Sequence, residues 1–285
     1  MPEYQTDGPI DVAIDVVMGR VEVTASERTD VDVRVEPSNP SKKSDVRAAA
    51  ETVVEYLDGR VTVAAPRKYS RLIGPGKSES VDVTIDVPNG SRITAENSFG
   101  KVVTHGSLGA TRIKSSSGDV SVERAEHLEV HASSGEVVIG HLDGDLELTS
   151  GNGATRIDYL GGTAALKSSN GDIHIGVAGG ALTAKLANGS IDIREALDSV
   201  TARSSYGKIR IDEVSSGVIQ LDASYGEVLV GIRHGVAAWL DIQSKNGVAR
   251  NGMSDDDGPS GSEGTVEVRV RTNYGDITVQ PAVTR

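Results

Sequence analysis

The chain has 285 residues, 29 basic against 41 acidic side chains, a formal net charge of −12 and no cysteine. That balance argues against general nucleic-acid binding or docking on anionic lipid. The lack of cysteine removes disulfides, thiolate metal sites and thiol nucleophiles. With aromatic residues at 3%, the core must come from Val, Ile, Leu and Ala.

The start, Met1-Pro2-Glu3-Tyr4, is polar, and no basic n-region with an apolar core comes after it. No stretch approaches the ~20 apolar residues of a membrane span. These features predict a cytoplasmic protein without membrane insertion, with the cell surface as the alternative if a leader has been removed. Ile10 to Val16, Val21 to Ala25 and Val31 to Val35 alternate like half-buried strands. Pro37 to Lys43 reads as a loop, and Ser44 as a helix cap. Val46, Ala49, Ala50, Val53, Val54 and Leu57 follow helical spacing, which predicts an amphipathic helix over 45–57. Asp58-Gly59 would stop it. Val61 to Ala65 is a further strand, Lys68 to Ser80 a basic loop, and Val81 to Val87 a strand ending in the turn Pro88-Asn89-Gly90. Residues 1–92 thus read as a β-rich lead-in that caps one end of a longer β array.

From residue 93 to 285 a repeat takes over. Gly100, Gly118, Gly135, Gly153, Gly171, Gly189, Gly207, Gly226, Gly247 and Gly275 recur at intervals of 18, 17, 18, 18, 18, 18, 19, 21 and 28 residues. A fixed period near 20 residues marks units that bury apolar faces against their neighbours. Positions two and four after each glycine are mostly aliphatic (Ile173 and Ile175, Ile191 and Ile193), as are positions five and seven before it (Leu166 and Ala164, Leu221 and Ile219). Each pair has strand periodicity. The pairs lie an odd number of residues apart, so both can point inward only if the chain turns a corner at Ser-x-Gly, where glycine tolerates positive φ. The longer intervals insert residues only in the link between units. The pattern predicts an all-β fold: a β-solenoid, parallel β-helix-like, with about 18 residues per rung. About ten rungs would stack over ~45 Å. Right-handed winding agrees with the general preference of parallel crossovers. An antiparallel meander with Asn-Gly hairpin turns is the competing reading. The loop 252–264 and the last strand, Asp276 to Gln280, are expected to cover the far end.

The run Val81-Asp-Val-Thr-Ile-Asp-Val-Pro-Asn-Gly-Ser91, with the later copies Ser116-Ser-Gly-Asp-Val-Ser-Val122 and Ser169-Asn-Gly-Asp-Ile-His-Ile175, resembles the bacterial β-strand-repeat "putative adhesin" family, also called toastrack domains. The resemblance covers roughly residues 10 to 282. It implies a β-solenoid-like fold without established enzymatic chemistry, and relatives tied to envelope stress or the cell surface. It supplies no catalytic residues.

Position four before the glycine is an outward column: Lys114, His131, Thr149, Lys167, Lys185 and Arg203. Lys167, Lys185 and Arg203 would stack one rung apart. They form either a solvated face offset by acids such as Glu129 and Glu147, or a strip for an acidic partner or anionic polymer. Tyr206 and Tyr225 share the corner column with Phe99 and Tyr274, as a corner stack or as a ligand platform. Trp239 is turned outward, to pack under the link Arg233 to Ala237 or against another chain. Asp255-Asp256-Asp257 sits in a loop that lacks the spaced ligands of a calcium site. His127 and His131 are four apart on a strand, about 13 Å, too far for one metal. Three after the glycine no acid pair recurs, so no catalytic, metal or cofactor residue is assigned and no enzyme is expected. The expected role is a non-enzymatic scaffold, envelope- or stress-linked, that presents a rigid repetitive β surface to a protein partner. The alternatives are a self-assembling filament and a carbohydrate-binding or carbohydrate-cleaving β-helix.

Overall fold

Aliphatic alternation on both sides of a glycine corner produces two inward-facing strands per repeat, and successive repeats pair in parallel. The protein is an all-β solenoid with one helix, seen in a computed structural model that describes residues 3–65, 79–253 and 264–283. The chain divides into two units, Met1–Asp143 and Gly144–Arg285.

The first unit contains β1 (Glu3–Gln5), β2 (Asp11–Met18), β3 (Val21–Ser26), β4 (Asp30–Pro37), α1 (Lys43–Glu51), β5 (Val53–Leu57), β6 (Arg60–Ala64), β7 (Val81–Pro88), β8 (Arg92–Phe99), β9 (Val102–Ser117), β10 (Val120–Ser134) and β11 (Val137–Leu142). β2 and β3 form a rung around Gly19. That rung lies between two later ones: β2 pairs in parallel with β6 and β8, and β3 with β7 and β9. The outer edges of β6 and β7 are covered by antiparallel strands, β5 on β6 and β4 on β7, with β1 beyond β4.

The helix is shorter than the apolar spacing implied. α1 ends at Glu51, and Val53–Leu57 is a strand. The β-branched and aromatic residues there pair with β6. Asp58 (φ 48°) and Gly59 (φ 73°) are both left-handed. They form the two-residue hairpin turn that matches strand twist rather than a helix stop. The N-cap is Lys42, without a side-chain cap bond, so Ser44 is not the cap. Buried Asp45 instead ties down the first turn, through Lys42 Nζ at 2.9 Å and the Ser80 amide at 3.2 Å.

The second unit contains β12 (Leu146–Asn152), β13 (Thr155–Leu160), β14 (Ala164–Asn170), β15 (Ile173–Ala178), β16 (Leu182–Asn188), β17 (Ile191–Ala196), β18 (Val200–Tyr206), β19 (Ile209–Val214), β20 (Gly217–Tyr225), β21 (Val228–Ile232), β22 (Ala237–Asn246), β23 (Ala249–Asn251), β24 (Thr265–Tyr274) and β25 (Ile277–Pro281). One ladder runs β12-β14-β16-β18-β20-β24-β22. The other runs β13-β15-β17-β19-β21-β25-β23. The stacking is parallel, which excludes the meander.

The last rung of the chain therefore sits inside the ladder, between β20/β21 and β22/β23. The last strand does not cover the end, as the sequence suggested. The 21- and 28-residue glycine intervals record this order: the chain skips one rung position at β22 and returns to fill it at β24.

The core is aliphatic. Ile173, Ile191, Ile209, Val228 and Ile277 stack in one ladder, and Leu166, Ala184, Ala202, Leu221 and Val270 in the other, all buried. Each fully buried Val, Ile or Leu contributes about 1.5–3 kcal/mol. The corner glycines are fixed by backbone contact. At Gly207 φ is +145°, and an added Cβ would lie 1.9 Å from the carbonyl oxygen of Gly189, one rung away.

Candidate interaction surface

The corners are built from the Gly-Asp pairs seen in the sequence. Asp172 Oδ1 accepts the Ser190 amide at 2.7 Å, Asp119 Oδ1 the Glu136 amide at 3.2 Å, and Asp276 Oδ1 the Val248 amide at 2.9 Å. Each carboxylate thus holds the backbone of the adjacent rung. The Lys101 ammonium and the Glu136 amide hold Asp119 below the usual carboxylate range. The Val248 amide and Arg250 do the same for Asp276. Sequence reasoning saw this motif but not its partner, which lies one rung away.

In the second unit the outward column four before the corner is assembled as expected. Lys167 lies opposite Lys185, Lys185 opposite Arg203, and Arg203 opposite Asp222. Arg203 Nε donates to Asp222 at 3.1 Å. Arg271 comes after Asp222 in register and pairs with Asp241. Lys167 and Lys185 are exposed and make no ion pair among the described residues. Glu147 leaves them uncompensated. In the first unit the same column is offset: Lys114 pairs with Glu96 at 3.2 Å and His131 with Glu129 at 3.1 Å.

The cations form one wall of an open groove of about 670 Å³. The column two before the corner, Ser169, Ala187, Ser205 and Ser224, lines its other side, with the buried Ser168, Leu186, Ser204 and Ala223 between. The next column holds Asn152, Asn170 and Asn188, whose amides bond in series at 2.9 Å. Tyr206, Tyr225 and Tyr274 continue it, with ring centroids 5.0 and 4.9 Å apart and near-parallel planes. Each ring covers its neighbour's face, so the stack exposes edges and hydroxyls. Inserting β24 is what brings Tyr274 beside Tyr225.

The family model for Toastrack DUF4097 matches residues 11–280. The chain belongs to this family. No curated protein matches it. Among solved structures, this Toastrack chain is similar to a "putative adhesin" from Parabacteroides merdae ATCC 43184, at 18% identity over 81% of this chain and 94% of that one, with a TM-score of 0.50. It is also similar to a "putative adhesin" from Bacteroides fragilis NCTC 9343, at 15% identity over 98% and 95% of the two chains, with a TM-score of 0.38. At 18% identity the likeness to the first shows the fold alone.

The other outward face of the Toastrack repeats, in the second unit, is largely balanced. Arg156 pairs with Asp158 at 3.2 Å, His174 with Asp192 at 3.6 Å and Arg210 with Asp212 at 2.5 Å. Among the described residues no three His, Asp or Glu side chains are placed to hold a metal ion. Asp255-Asp256-Asp257 lies outside the described residues. Trp239 is turned outward on β22, 56% exposed, with the Arg269 guanidinium 5.9 Å from its ring centroid. No described helix is long and apolar enough to cross a membrane.

Proposed function

We propose that this Toastrack chain is a non-catalytic interaction scaffold that presents the register-aligned outer face of its second unit to a protein partner. The observation that carries this reading is the row Lys167–Lys185–Arg203. Two ammonium groups stand unpaired, one ladder step apart, on a protein of net charge −12. Adjacent like charges on a ladder are unfavourable unless something offsets them, and an acidic partner does so. A relative of the same fold is named as a "putative adhesin", a role that needs binding without turnover. An envelope or stress setting belongs to the same proposal and rests on the family resemblance.

A photo-crosslinking residue at Ala187, which lines the groove, tests it against the same probe at His174 on the balanced face. Saturable capture of one protein at position 187, and not at 174, is expected. Capture of no protein at either position, with binding of glycans instead, overturns the reading.

A second reading, self-association, has its own support. β22/β23 is the outer rung of its unit, and no described strand lies on its far side. Trp239 and Val248 are exposed there, and Leu240 and Ile242 are only partly buried. A bare parallel edge is a template for another chain. Light scattering over a concentration series separates the two: growth in mass that Trp239→Glu abolishes favours self-association, and constant mass favours the scaffold.

A further inference from the structure

Resting on the self-association reading, we infer that the bare rung β22/β23 joins its counterpart in a second copy, as a closed two-fold dimer centred on Leu240 and not as a growing filament. The row Lys167–Lys185–Arg203 begins three ladder steps from β22, so the scaffold surface stays uncovered.

The occupant follows from which edges are open. A filament needs a second bare parallel edge to receive β22/β23. In the first unit the strands able to receive it, β6 and β7, are already covered by antiparallel β5 and β4. The edges beyond them, on β5 and β1, are five and three residues long, against ten in β22. The matching edge is therefore the same rung of another copy. Joining two like edges is isologous, and it closes at two chains.

The edge is also built to be paired. The Ala237 amide donates to the Gly264 carbonyl, on the β24 side. Strand alternation then turns the amides and carbonyls of Ala238, Leu240 and Ile242 the other way, where no described strand meets them. Leu240 and Ile242 lie in register with the buried Val268 and Val270 but are only partly buried themselves. One further strand would finish covering them. Edges that resist pairing carry lysine, proline or inward charges. The stretch Ala237 to Gln243 has none of these, and its one charge, Asp241, is paired with Arg271 of its own copy.

A two-fold axis makes the joined strands antiparallel, and inward residues must stay opposite inward ones. An axis at Leu240 sets Leu240 on itself, Ile242 on Ala238 and Trp239 on Asp241. An axis at Trp239 leaves Ile242 beyond the end of the partner strand. At Asp241 it opposes two carboxylates. At Ile242 or Gln243 it sets Leu240 against Ser244 or Asn246. The paired stretch spans about 23 Å, and the facing layer lies about 10 Å away, so each copy contributes on the order of 200 Å². Stable complexes bury about 800 Å² per partner, so the dimer is reversible and its population depends on concentration.

The test uses the full chain. Light scattering over a concentration series is expected to show mass rising from one chain towards two and not beyond. The chain has no cysteine, so one introduced thiol reports one contact. Under mild oxidation Leu240→Cys should link two chains, because its mate faces it at about 5.5 Å between Cα atoms, within disulfide reach. Ile242→Cys should not, because its mate is about 13 Å away along the strand. Trp239→Glu puts a carboxylate beside Asp241 of the other copy and should weaken association at least tenfold, whereas Arg156→Glu should leave it unchanged. Growth past two chains that Trp239→Glu abolishes overturns the closed dimer and leaves the self-association reading standing. A single chain at every concentration overturns both. Linking through Ile242→Cys and not through Leu240→Cys overturns the axis at Leu240.

Discussion

Gly207 meets two demands that no other residue satisfies. Its φ of +145° disfavours any side chain, and a Cβ would collide with the Gly189 carbonyl oxygen at 1.9 Å. That oxygen is backbone within the ladder, so the clash cannot relax by a rotamer change. Gly207→Ala should therefore destabilise by more than about 3 kcal/mol or prevent folding, measured by denaturant unfolding. Gly8→Ala, where nothing lies within 4 Å, should cost far less.

The corner carboxylates set the acid response. Because Asp119 and Asp276 are depressed in the folded state, their contribution is present above the ordinary Asp value of about 3.9 and is lost as pH falls below it. Asp119→Asn should be less stable than wild type at neutral pH, and the gap should close as acid titrates the wild-type carboxylate. A constant gap down to pH 2 would contradict the assignment. The glycine and Gly-Asp columns were legible in the sequence because positive φ restricts residue choice at every repeat. The Asp acceptor role was not, since its donor belongs to the next rung.

At the scale of elements, strand pattern and corner position were readable, whereas order in the stack and one helix boundary were not. Val53, Val54 and Leu57 fit a helical stripe and a hairpin strand equally, and Asp58-Gly59 serves as helix stop or turn. Pairing with β6 decides between them, and that is a tertiary contact. Replacing Asp58 and Gly59 together by alanine should raise hairpin strain by about 1–2 kcal/mol per left-handed residue. Hydrogen exchange should then speed up at β5 amides while β2 stays protected. Uniform exchange across both strands would contradict a local hairpin. The inserted rung left a different trace. The long glycine intervals mark where extra chain lies, but the same lengths suit a surface loop, so only the register of Tyr274 with Tyr225 and Asn246 reveals the reversal.

For the whole molecule, an acidic surface that leaves two lysines of one column unpaired is the feature on which the proposed function rests. The column was legible as stacked cations because register is set by the repeat. Its lack of compensation was not, because Lys114 and His131 in the same column do find acidic partners. The stacked tyrosines turn their faces to one another, which removes the flat platform a sugar ring would need.

The most direct measurement is calorimetric titration of the protein captured through position 187 against three purified forms of this chain: wild type, Lys167→Glu/Lys185→Glu, and Arg156→Glu. Saturable binding by wild type, at least tenfold weaker binding by the double variant and unchanged binding by Arg156→Glu is the predicted result. Equal affinity for all three forms would contradict the claim that the Lys167–Lys185–Arg203 row is the binding surface.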